Sequence, residues 1–183
     1  MTPSLVRISK FLSLVLRHDP ARIGLRLDPA GWADIDELLD KAAAAGTPIT
    51  RETLLQVVEQ NNKQRFALNS ERNLIRANQG HSIDVDLGLA PLRPPEELFH
   101  GTGHRFVEAI RREGIDPRDR HHVHLSSDVE TATTVGRRHG RPVVLLVDAG
   151  RMHADGHVFY RSDNGVWLTD AVPPGYLRVV DTD

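Results

Sequence analysis

Apolar residues recur at intervals of three and four through the first third of the chain, then give way to short apolar runs separated by turns. Leu5, Ile8, Leu12, Val15 and Leu16 share one broad face and predict a helix over residues 4–17. Pro20 stops it, because the residue before a proline is pushed out of helical geometry. Asp34, with Glu37 three positions later, is a capping box for a second helix over 35–45, closed at Gly46. Thr50 caps a third, whose core face is Leu54, Leu55, Val57 and Val58. Short strands follow at 65–68 and 73–77, joined by a polar turn. Three helices and a hairpin predict a winged-helix-like lobe over residues 1–80.

Residues 81–95 read as a connector that ends in Arg93-Pro94-Pro95. Beyond it, strands are predicted at 97–100, 123–126, 142–148, 158–160, 166–169 and 176–180, with helices at 105–112 and 130–138. The almost continuous apolar run at 142–148 has the pattern of a buried central strand. Arg161-Ser-Asp-Asn-Gly165 is a hairpin turn between two short strands. The fold class is α+β, with a second lobe over 96–183.

Composition narrows the function. Of 183 residues, 39% are hydrophobic and 26% charged, which describes a globular chain. No apolar run reaches the roughly 20 residues of a membrane helix, and no secretory leader pattern opens the chain. The absence of cysteine removes disulfides and thiolate metal sites, and the expected setting is a reducing cytoplasm. Residues 1–80 carry eleven basic and nine acidic side chains, and residues 81–183 carry twelve and sixteen. That balance does not suit nonspecific duplex DNA binding, so any nucleic-acid contact is expected to be local.

The candidate chemistry is cationic. Arg17 and His18 stand together where the first helix must stop, and Arg65 and Arg138 lie in later segments rich in polar residues. Guanidinium groups bind phosphate oxygens through a planar fork of donors, and an adjacent histidine can donate to the same group or move a proton. His100-Gly101-Thr102 falls at a predicted strand end, where backbone and hydroxyl donors meet ligands. His122 and His124 alternate near one strand, but no carboxylate at matching spacing completes a metal set and HExxH is missing, so no metal is expected. The Gly-rich phosphate loops of Rossmann and P-loop folds are missing too.

Taken together, the segments LSLVLRHDP (12–20), GW (31–32), NNKQRF (61–66), IRANQGHS (75–82), FHGT (99–102), HHVHLS (121–126), VGRRHG (135–140) and NGVWLTD (164–170) resemble, in order, those of the RNA 2′-phosphotransferase family. The resemblance implies an N-terminal winged-helix-like RNA-binding lobe and a C-terminal ADP-ribosyltransferase-like lobe with split mixed or antiparallel sheets. It implies NAD⁺ as co-substrate, RNA bearing an internal 2′-phosphate as substrate, and a monomer. The implied reaction forms an ADP-ribosylated RNA phosphate, then releases 2′-hydroxyl RNA, nicotinamide and ADP-ribose 1″,2″-cyclic phosphate. The family's catalytic quartet maps onto Arg17, His18, Arg65 and Arg138, with Arg137 a rival for the last place. His18 acts either as proton donor or as hydrogen-bond donor. His100, Gly101, Thr102 and His124 are the implied NAD⁺ contacts, with Ser126, Asp128 and Thr133 on the adenosine side. Val166 stands where many relatives of the superfamily have a catalytic glutamate. Asn62 replaces an expected aspartate, which removes a charge and leaves Arg65 in place. The alternatives are an ADP-ribosyltransferase acting on terminal nucleic-acid phosphates or protein, and a noncatalytic nucleic-acid binder that responds to NAD⁺.

Overall fold

The structure is a computed structural model that describes residues 2–61 and 63–180. Contacts divide the chain into two compact units, residues 1–88 and 89–183. Six α-helices and nine strands are formed among the described residues, and every strand pairing is antiparallel.

In the first unit, α1 (Pro3–Arg17), α2 (Ile35–Ala44) and α3 (Arg51–Glu59) form where the periodicity places them. Asp34 Oδ1 accepts from the Glu37 N–H at 2.9 Å, and Thr50 Oγ1 from the Thr53 N–H at 3.1 Å, so two helix starts are satisfied by side chains. Leu12, Val15, Leu16, Ile35, Leu38, Leu54 and Ile75 are fully buried and join the helices to a small sheet. Burying each such side chain contributes about 1.5–3 kcal/mol. That sheet has the order β1-β3-β2, from β1 (Ala33–Asp34), β2 (Phe66–Leu68) and β3 (Leu74–Ala77). The two-residue β1 is too short to leave a sequence signal. The charged ends of α3 are tied within the unit: Arg51 pairs with Asp36 at 2.7 Å and Glu59 with Arg72 at 2.9 Å. Val85 and His81 are buried, and the Asp86 N–H donates to the Pro29 carbonyl, so the chain after β3 is held to this unit.

The second unit holds two three-stranded sheets. One has the order β4-β6-β9, from β4 (Glu97–Gly103), β6 (Pro142–Asp148) and β9 (Leu177–Val180). The apolar β6 is central, as its composition requires. The other has the order β5-β8-β7, from β5 (Val123–Leu125), β7 (Phe159–Arg161) and β8 (Trp167–Thr169). Phe99 and Ser126 exchange backbone hydrogen bonds of 2.9 and 2.7 Å and connect the two sheets. The helices are α4 (Val107–Glu113), α5 (Val129–Gly136) and α6 (Ala149–Ala154).

Strand β4 runs three residues beyond the predicted 97–100. Gly101, Thr102 and Gly103 stay paired to Val144, Val143 and Pro142. The two glycines clear a path for α5 and the turn after it. A Cβ on Gly101 would lie 1.7 Å from the Ala132 carbonyl oxygen, and one on Gly103 2.4 Å from that of His139. Helix and strand therefore meet backbone to backbone, which sets the position of the 3-10 turn Arg137–His139.

Candidate functional site

In the first unit, Arg17, His18 and Arg65 are drawn into one hydrogen-bonded network. His18 caps α1, its N–H donating to the Leu14 carbonyl at 3.0 Å. Arg17 Nη2 donates to the Arg65 carbonyl at 3.3 Å across 48 residues of sequence. Arg65 Nη1 donates to Asn61 Oδ1 at 3.0 Å, and Asn61 Nδ2 to Ser9 Oγ at 3.4 Å, with Asn61 and Ser9 both buried. The backbone N–H of Asn78, also buried, donates to the same Arg65 carbonyl at 2.9 Å. Ser82 reaches the other side: its N–H donates to the Arg17 carbonyl at 2.9 Å, and its Oγ lies 2.9 Å from His18 Nδ1. Two guanidiniums and an imidazole are thus oriented in part by a backbone carbonyl, an amide and a hydroxyl. Asn62 lies outside the described residues.

In the second unit, His100 on β4 and His124 on β5 are neighbours, with His100 Nδ1 3.2 Å from the His124 carbonyl. Burial holds the His100 pKa below its ordinary value. Its hydrogen bond to His124 opposes that shift, and the charges of His139 and Arg120 reinforce it. A neutral ring at physiological pH follows. Thr102 is buried and Gly101 is pressed against α5. Asp128 caps α5, accepting from the Thr131 N–H at 2.7 Å and the Thr131 hydroxyl at 3.0 Å. The Thr133 hydroxyl donates to the Val129 carbonyl at 2.8 Å. Asp128 is thus engaged as the helix cap, and Thr133 in a bond back to its own helix. Ser126 is fixed by its backbone bridge to Phe99. Val166 closes the β7–β8 hairpin, its N–H donating to Ser162 Oγ at 3.2 Å.

Arg138 occupies the exposed turn after α5, beside an arginine that the sequence reading passed over. Arg120 Nη1 lies 3.1 Å from His124 Nδ1. Although Arg120 is exposed as a residue, desolvation of its guanidinium lowers its pKa, and the Arg138 charge pushes the same way. Two like charges are thus set close enough to repel, with no carboxylate pairing either one among the described residues. The signal lay one residue upstream of the histidine-rich segment 121–126.

Seven of the other ten arginines of this unit fall into two groups. Arg93, Arg111, Arg112, Arg151 and Arg178 each pair with a carboxylate. Arg105 and Arg118 instead stack on Phe106, with guanidinium carbons 4.6 and 6.0 Å from the ring centroid, and His139 meets that ring edge-on. Stacking uses the faces of guanidinium groups and leaves their in-plane donors outward. The His121–His122 pair goes elsewhere. His122 Nε2 lies 3.7 Å from Asp170, and its ring packs on Tyr160. Burial lowers the His122 pKa, Asp170 opposing and His121 adding to the shift. Among the described residues no group of three or more His, Asp or Glu is placed to hold a metal ion. No helix among them is long and apolar enough to cross a membrane.

Residues 3–171 match the family described as RNA 2′-phosphotransferase, Tpt1 / KptA family. A probable RNA 2′-phosphotransferase of Nostoc punctiforme is 56% identical over 176 residues, covering 96% of this chain and 97% of that protein. Those of Agrobacterium fabrum and Streptomyces coelicolor are each 60% identical, over 171 and 173 residues; the alignments cover 93% and 94% of this chain and 92% and 94% of those proteins. With identity at this level across nearly the whole length of each protein, the chain belongs to the RNA 2′-phosphotransferase family.

Proposed function

We propose that this enzyme removes an internal 2′-phosphate from RNA with NAD⁺ as co-substrate, yielding 2′-hydroxyl RNA, nicotinamide and ADP-ribose 1″,2″-cyclic phosphate. The observation that carries the reading is the convergence of Arg17, His18 and Arg65 on one hydrogen-bonded network. Charge builds on phosphate oxygens during transfer, and donors already fixed in place stabilise it without reorganising. Asn61 and the Arg65 carbonyl provide that fixing for two guanidiniums.

We assign Arg17, His18, Arg65 and Arg138 to the transferred phosphate, and Arg120 is added as a neighbouring cation to Arg138. The residues of the second unit suit a dinucleotide carrying a diphosphate. Arg120 and Arg138 offer positive charge, His100 a neutral ring, and Thr102 a buried hydroxyl. NAD⁺, when bound, supplies an anomeric carbon with nicotinamide as leaving group. His100, Gly101, Thr102 and His124 hold it in this reading, with Ser126, Asp128 and Thr133 toward the adenosine. Val166 offers no base. None is required for an acceptor phosphate that is already anionic. The first unit is read as a winged-helix-like RNA lobe and the second as an ADP-ribosyltransferase-like lobe. The enzyme is read as a cytoplasmic monomer that needs no metal.

The test is incubation with NAD⁺ and a short RNA bearing one internal 2′-phosphate, in chelator, with products followed by mass spectrometry. The expected result is 2′-hydroxyl RNA together with nicotinamide and the cyclic phosphate. ADP-ribosylated RNA as the end product would replace this reading with a plain ADP-ribosyltransferase. An absence of turnover by folded protein with NAD⁺ bound would replace it with a binding module.

A further inference from the structure

His18 lies at the exposed end of α1, where an imidazole on its own would rotate and take either neutral tautomer. Ser82, 64 residues later, places its Oγ 2.9 Å from Nδ1. The segment 78–82 that carries Ser82 is anchored at both ends. The Asn78 N–H donates to the Arg65 carbonyl at 2.9 Å, Asn78 Nδ2 donates to the Gln64 carbonyl at 2.6 Å, and the Ser82 N–H donates to the Arg17 carbonyl at 2.9 Å. Asn78 and His81 are buried along it. The hydroxyl is therefore delivered to the ring by a strap hydrogen-bonded to the backbones of both neighbouring arginines.

A hydroxyl both donates and accepts. Facing a neutral ring protonated on Nε2, it donates to the Nδ1 lone pair. Facing an imidazolium it accepts from Nδ1–H, and Nε2 keeps its proton. We propose that Ser82 is a positioning residue that holds His18 with Nε2–H as the nitrogen offered to the transferred RNA phosphate in both protonation states. The ring then donates to the anion whether or not it is charged. The opposite pairing, with Nδ1–H donating to Ser82, would present a lone pair to an anion, which is repulsive. The inference rests on the reading that His18 contacts the phosphate.

Nitrogen NMR of protein labelled with ¹⁵N-histidine, at a pH well above the ordinary imidazole pKa of about 6.5, reads the tautomer directly. The His18 signals are identified by their loss in His18→Gln. The wild type should show a protonated Nε2 and a bare Nδ1. Ser82→Ala should show both nitrogens drawn toward the averaged values of a tautomer mixture, and Ser82→Thr should restore the wild-type pattern. In turnover of 2′-phosphorylated RNA, Ser82→Ala should lower kcat roughly three- to tenfold, the loss of one modest hydrogen bond, with the KM for NAD⁺ unchanged and Ser82→Thr recovering activity. A wild-type ring protonated on Nδ1, an unchanged pattern in Ser82→Ala, or wild-type kcat in Ser82→Ala would each overturn the proposal. If the wild-type enzyme turns over no such RNA, the functional reading fails, and the proposed role for Ser82 fails with it. The spectra then decide the tautomer assignment separately.

Discussion

Gly101→Ala is the sharpest test of how the second unit is assembled. The added methyl would sit 1.7 Å from the Ala132 carbonyl oxygen, 2.6 Å from its carbon and 2.9 Å from the Gly136 nitrogen. All three are backbone atoms of α5, so no rotamer change relieves them. Restoring even a tight 3.0 Å contact requires α5 to retreat by about 1.3 Å, well beyond the adjustments that ordinarily cost 1–3 kcal/mol in overpacked cores. A loss of about 3 kcal/mol or more is expected for this unit. The assay is denaturant unfolding followed by Trp167 fluorescence in a Trp32→Phe background. Catalysis should fall further than stability alone explains, because α5 leads directly into the turn of Arg138. A misplacement on the order of 1 Å can cost a hundredfold in rate. Gly175→Ala is the control. Nothing lies within 4 Å of its added methyl, so it should change stability by no more than about 1 kcal/mol in the favourable direction. A Gly101→Ala variant within about 0.5 kcal/mol of wild type would refute the backbone-to-backbone contact.

Arg120→Ala and Arg138→Ala should each lower RNA turnover by about a hundredfold, as expected for removing a prepositioned donor to developing charge. Steady-state kinetics of the pair decides between them. If Arg138→Ala stays within threefold of wild type while Arg120→Ala is inactive, the catalytic assignment passes to Arg120. The stability of the second unit should fall as pH drops below about 6.5, because unfolded histidine then binds protons that the partly buried His100 and His122, with lowered pKa values, refuse. Their contribution is intact above that pH and is lost progressively down to their folded pKa values. His100→Asn should flatten the slope in Trp167-monitored unfolding between about pH 6.5 and 5, and an unchanged slope would show that His100 does not contribute.

The helices of the first unit are legible in the sequence because periodicity and caps coincide: Asp34 and Thr50 sit where local chemistry alone places them. The elements that escape are those built by tertiary contact. Strand β1 has two residues and exists only because β3 pairs with it. Helix α6 has six residues with Gly150 among them, too few for a period to show, and its start is secured by Asp148 accepting from the Arg151 N–H at 3.2 Å. The extension of β4 through Gly101 and Gly103 runs against the usual reading of glycine as a strand breaker. The structure supplies the reason, since the missing side chains admit α5. The same limit governs the site. Arg17, His18 and Arg65 stand out by residue type, but Ser9, Asn61, Asn78 and Ser82, which orient them, are ordinary polar residues in sequence. They gain meaning only when segments tens of residues apart meet. Arg120 gains meaning only from its contact with His124 and its proximity to Arg138.

The division of arginines in the second unit bears on how fast a substrate arrives. Cations that are cancelled locally by carboxylates add little to the field at a distance. Arg105, Arg118, Arg120, Arg137, Arg138, Arg141 and Arg161 have no such pairing among the described residues, and they belong to the half of the chain with excess acidic side chains. An approaching polyanion is therefore repelled by the excess carboxylates of that half and drawn to its unpaired arginines. Such a field orients the encounter before any contact forms, and it fades as salt shortens its reach to about 8 Å at physiological ionic strength.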